Sequence, residues 1–147
     1  MKKTARVPLV FFNASVILAG LASPTGGSAK LLKYVSQKKI RGIISEIILD
    51  EVIRRAEKIK FTPQRVQFET LKIFKYVREP KLSSVEQFSD VVLDPGDLHV
   101  FASAYETDSE YLVSLDKKHF LSLAGKIIKF TIISPKGLIE ILNSYQS

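Results

Sequence analysis

An α/β fold, with a mainly parallel sheet of about five strands covered by helices on both faces, is what this sequence predicts. Three observations carry that reading. Short runs rich in Val, Ile, Leu and Phe alternate with longer segments whose apolar positions recur at helical spacing. Ser, Asp, Pro and Gly mark the hand-over between one kind of segment and the next. At least one run, Val7 to Phe12, is apolar on both faces, as a strand covered on two sides must be. No repeat, coiled coil or low-complexity linker interrupts the order, so a single domain over residues 1–147 is expected.

The elements follow in sequence. Val7-Pro8-Leu9-Val10-Phe11-Phe12 is the first strand, with proline near its start, where a missing donor matters least. A helix over Ser15 to Ala22 is broken by Ser23-Pro24-Thr25-Gly26-Gly27, and a second runs from Ser28 to Gln37 on Ala29, Leu32 and Val35. Arg41 to Ile44 is a brief second strand. Ser45 caps a helix to about Lys58, with Ile48, Val52, Ala56 and Ile59 inward and Glu51 at the edge of that face. Pro63 opens a longer helix, which Val66, Ile73 and Val77 make apolar on one side and Pro80 stops. Asp90 to Leu93 is the expected third strand. Asp94-Pro95-Gly96-Asp97 then starts a helix carrying Leu98, Phe101, Ala102 and Tyr105, which ends near Ser109. Tyr111 to Leu115 and Lys129 to Ile133 are the fourth and fifth strands, and Pro135 begins a last helix to about Leu142.

Composition narrows the chemistry. With no cysteine, disulfides, thiolate metal sites and thiol nucleophiles are excluded. The two histidines, His99 and His119, are too few for a histidine-rich zinc site, so a hard, oxygen-bound metal is expected. A formal charge of +7 favours a polyanionic partner, with nucleic acid the commonest candidate, although the cationic residues are spread along the chain. Met1 to Arg6 followed by Val7 to Ala22 imitates a secretory leader. Cleavage there would delete the first strand, so the segment is read as part of the fold. The expected location is the cytoplasm, without a membrane partner.

Three carboxylates stand where strands hand over to helices or loops: Glu51, Asp97 and Asp116. Asn13 holds a fourth such place. In an open parallel sheet these ends form the ligand crevice. Carboxylates gathered there repel one another unless a cation compensates, and Mg²⁺ or Mn²⁺ does so while keeping some of its waters. Water acidified by that metal attacks phosphorus. Ser114 is a hydroxyl beside an acid, and Lys117, Lys118 and His119 are placed to steady a phosphate backbone. Plainer roles compete at each position. Asp97 suits any helix start, Glu51 has Arg54 and Arg55 as partners, Asp116 suits a turn, and Asn13 can tie a strand-end loop. His99 reads as a packed or surface histidine. A phosphoryl-accepting α/β domain is disfavoured because Asn13 cannot take up a phosphoryl group as aspartate would.

Taken in order, five segments resemble the PIN domain family. They are Phe12-Asn13-Ala14-Ser15-Val16-Ile17, Ile44 to Val52 with Glu51, Asp97 to Ala104, Tyr111 to Phe120 with Asp116, and Ile133-Ser134-Pro135-Lys136-Gly137-Leu138. The resemblance implies a Rossmann-like three-layer α/β/α sandwich and a metal-dependent endoribonuclease using Mg²⁺ or Mn²⁺. It also implies a homodimer and, in a toxin-type context, a small antitoxin partner. Glu51, Asp97 and Asp116 would hold the metal, and Ser114 takes the place of a threonine-like hydroxyl. Asn13 stands where the family normally has an aspartate, and Ala14 where it has a hydroxyl. That departure predicts a weakened nuclease or, as the alternative, a catalytically inactive relative that binds RNA or protein.

Overall fold

A computed structural model describes residues 7–144. The basic run Lys2, Lys3 and Arg6 lies outside those residues. β1 (Leu9–Phe12) leads through α1 (Ala14–Ala22) and α2 (Gly27–Ser36) to β2 (Arg41–Ser45). α3 (Glu46–Arg54) and α4 (Pro63–Ile73) then precede β3 (Lys75–Val77), and α5 (Leu82–Glu86) and α6 (Leu98–Glu106) precede β4 (Tyr111–Val113). β5 (Thr131–Ile133) and α7 (Pro135–Ser144) complete the described chain.

All four strand pairings are parallel, in the order β3-β2-β1-β4-β5. Phe11 stands opposite Ile43 on one side and Leu112 on the other. The chain therefore works outward from β1 on one side, then crosses to build the other. That reversal puts the crevice at the carboxyl ends of β1 and β4. Helices fill both faces because the central strands have no polar one: Val10, Phe11, Phe12, Ile44, Leu112 and Val113 are wholly buried. Phe101 stacks on Phe120 at 4.9 Å, and Phe12 meets Phe74 edge-on at 4.8 Å. Gly42 makes room for that second contact, since a Cβ there would stand 2.8 Å from both Phe74 and Val35. Among the described residues, no helix is long and apolar enough to cross a membrane.

The third strand is not where the sequence places it. Asp90 to Leu93 is a turn, with the N–H groups of Val91 and Val92 both donating to the Phe88 carbonyl. Local bonds have satisfied those donors, so no ladder forms. Lys75–Val77, expected at the end of a helix, instead pairs with β2. The cause is Phe74. Its backbone is extended (φ −115°, ψ 147°) because the buried ring docks on Phe12, and the chain then runs on along the sheet edge. The helix carrying Glu51 also ends early, at Arg54. A 3₁₀ turn (Ala56–Ile59) follows, and Lys60 closes it in the left-handed region at φ 61°.

Candidate metal centre

Asn13 ends β1 and caps α1. The Ala14 N–H donates to its Oδ1 at 2.9 Å, so the atom facing the helix must be the oxygen. The amide nitrogen is left to donate to Ser114 Oγ, also at 2.9 Å. Asn13 N–H meanwhile donates to Val113 O at 3.0 Å. One side chain thus ties the tips of β1 and β4 together across the crevice. Ser114 Oγ, wholly buried, also accepts from the Asp116 N–H at 3.1 Å. Both its lone pairs are in use, and its proton is the part left to donate.

Beyond Ser114 the chain turns back sharply. Asp116 Oδ1 accepts from the His119 N–H at 2.9 Å, and its other oxygen lies 3.3 Å from His119 Nδ1. This turn carries the imidazole to Asp97, whose Oδ2 is 3.7 Å from the same nitrogen. At the start of the turn that ends in Asp97, Asp94 Oδ1 caps Pro95–Asp97 by accepting from Gly96 N–H at 2.8 Å. Ligand atoms of Asp94, Asp97 and His119 all lie within 4.8 Å of one another.

Asp97 is the strained member. Its Oδ2 is buried and has no hydrogen-bond partner. Burial raises its pKa above the usual carboxylate value, and the charge of Asp94 raises it further. His119 opposes that shift, while Asp116 and Glu51 add to it. An aspartate crowded by three other acids, with one imidazole for relief, is an oxygen set short of positive charge.

Glu51 sits apart from this tight group. Its oxygen accepts from Arg55 Nη1 at 3.0 Å, an i,i+4 pair along α3. Its charge nevertheless acts on both Asp97 and His99, so it faces the same rim. Burial lowers the pKa of His99, Glu51 opposes that, and its buried Nδ1 lacks a hydrogen-bond partner. Of the residues singled out from sequence, Asp97 and Asp116 meet through His119, and Asn13 and Ser114 join Asp116 through the hydrogen bonds on Ser114 Oγ. Glu51 is held aside by Arg55. Asp94, read from sequence only as a cap, joins the cluster, and His119 moves from phosphate contact to its centre. A signal for both existed: each lies three residues from an aspartate across a tight turn, the spacing that brings side chains together.

The profile of the PIN domain family matches residues 9–118, most of the chain. The chain belongs to the PIN domain family. A solved structure, PAE2754 from Pyrobaculum aerophilum, is similar to it with a TM-score of 0.63 and 19% identity. The alignment covers 96% of this chain and 99% of that one, and at this identity the likeness is one of fold. A search of curated protein sequences finds no match. As a PIN domain, the chain carries its acid and histidine cluster at the β1/β4 crossover, and the family match spans Asn13, Glu51, Asp97 and Asp116.

Proposed function

We propose that this PIN domain, acting as a single domain, is a metal-dependent endoribonuclease that hydrolyses RNA phosphodiesters with Mg²⁺ or Mn²⁺. The buried Oδ2 of Asp97, which accepts no hydrogen bond and has the His119 imidazole no nearer than 3.7 Å, is the observation that carries the reading, because a cation is the partner such an oxygen needs. Asp97, Asp116, Asp94 and His119 would hold the ion, with Glu51 joining once it leaves Arg55. When bound, the ion supplies a Lewis acid for the phosphoryl oxygens. A donor set of carboxylates and one imidazole suits Mn²⁺ better than Mg²⁺, which prefers oxygen alone. Exposed Lys117 and Lys118 hold the RNA backbone beside the rim. The Ser114 hydroxyl keeps its proton directed away from Asn13 and the Asp116 amide. A small antitoxin and a second copy of the chain are the protein partners that family membership brings forward.

Single-stranded RNA incubated with Mn²⁺, Mg²⁺ or EDTA tests the proposal. Cleavage is expected with either ion, at lower concentrations of Mn²⁺, and none in EDTA. It should fall at least 100-fold in Asp97→Asn/Asp116→Asn, about the loss that removing a main electrostatic group brings. Cleavage that survives the double change would overturn the site. One observation favours the inactive alternative: both ends of the Asn13 side chain are already committed to structural hydrogen bonds. Asn13→Asp separates the two readings. A large gain in cutting marks an enzyme short of one charge, whereas RNA binding without cutting in both proteins marks an inactive relative.

A further inference from the structure

The cationic residues are spread along the chain, but their excess is not. Eight lysines and arginines precede Glu46, the first acidic residue; the remainder has 14 basic and 15 acidic residues. The first 45 residues therefore carry a formal +8 and the remainder −1. Among the described residues that excess is Lys30, Lys33, Lys38, Lys39 and Arg41, all exposed. None of them forms an ion pair with an acid among those residues.

They also form one patch. Lys30, Lys33 and Tyr34 share a face of α2, being three and four residues apart. The turn after α2 returns Lys39 to the same place, its N–H donating to Tyr34 O at 2.9 Å. Lys39 Nζ lies 5.1 Å from the Tyr34 ring centre and Lys30 Nζ lies 6.0 Å from it. Lys38 makes the turn at φ 64°, a conformation glycine or asparagine adopts more readily. Because this turn leads directly into β2, the patch stands at the amino ends of the strands. The acid and histidine cluster stands at their carboxyl ends.

We propose that this patch is a second RNA-binding surface, which grips the phosphate backbone of a single strand on the side of the sheet away from the cluster. Like charges left unpaired repel one another, and a polyanion relieves that repulsion by displacing counterions. Flexible ammonium groups folded over an aromatic ring turn outward to phosphates. They then leave the half-buried Tyr34 ring for a base to stack on, without sequence preference. The surface rests on RNA being the ligand of this PIN domain, and not on the RNA being cut.

The test is fluorescence anisotropy of a labelled single-stranded RNA of about 20 nucleotides, enough to reach both ends of the sheet, in EDTA over a series of salt concentrations. Lys30→Glu/Lys39→Glu is compared with Lys58→Glu/Lys126→Glu, the same charge change at exposed sites outside the patch. The patch variant should bind at least tenfold more weakly, with the salt slope reduced by roughly 1 to 2, and the control less than threefold more weakly. Equal losses in the two variants, or none in either, overturn the proposal. So does loss of binding to phosphatidylserine vesicles with RNA affinity unchanged, which would make the patch a membrane surface. Should the glutamate variant not fold, Lys30→Gln/Lys39→Gln is read in the same way. RNA that binds through the patch but stays uncut with Mn²⁺ refutes the nuclease and leaves this surface standing.

Discussion

Asp97 carries the least comfortable charge at the rim. Its pKa is raised, chiefly by burial and then by Asp94, so its ionised form is less stable in the folded protein than in the unfolded chain. For such a group the folded state is favoured at low pH. That advantage is lost as pH rises from 3.8, its ordinary value, through the raised one. In metal-free protein, Asp97→Asn is therefore expected to raise the melting temperature by a few degrees at neutral pH and to flatten this acid-side slope. Thermal melts from pH 3 to 8 in EDTA check it. Added Mn²⁺ should stabilise the wild type and leave the variant unmoved. Arg55 is the second residue to test. It occupies Glu51 at 3.0 Å, so the ion competes with an internal guanidinium for that carboxylate. Removing a part-exposed pair of this kind should tighten Mn²⁺ binding about two- to fivefold in Arg55→Gln. In a Glu51→Gln background the gain should vanish, and calorimetric titration reads both.

Elements differ in how far their own sequence decides them. Three helix starts were legible because each is written within four residues, whereas α5, which has no side-chain cap, was not expected. Ser45 accepts from Ile48 N–H at 3.1 Å, Thr62 from Arg65 N–H at 3.1 Å, and Asp94 opens its turn as expected. Ser45 is wholly buried and starts the helix that bears Glu51. Ser45→Ala should cost about 1 to 2 kcal/mol. A urea melt measures that loss, with little change in slope if the fold is kept. Strand identity was less legible. Val91-Val92-Leu93 has stronger strand character than Lys75-Tyr76-Val77, yet the weaker run is in the sheet. A strand exists only where a neighbour offers a free edge, and the docking of Phe74 on Phe12 gives the edge of β2 to the nearer segment. Val92 N–H had already closed onto Phe88. Neither fact is local.

At the scale of the molecule, charge and topology divide the protein into two ends. The carboxyl ends of the strands gather acids around His119, and the amino ends carry the lysines beside Tyr34. The amino-acid sequence by itself determined the alternation of elements, the caps that begin the helices, the family resemblance and the absence of any thiolate chemistry. It also placed Asn13 at the rim, since a residue just after a buried apolar run has only the end of the sheet to occupy; Asp97, expected after a third strand, instead follows a turn. Tertiary structure alone decided that Asp94 and His119 join Asp97, that Arg55 holds Glu51, and that Asn13 binds Ser114 across the crevice. The physical reason is range. Periodicity and capping act over three or four residues, whereas Asn13 and Ser114 are 101 positions apart and meet only once β1 and β4 have paired.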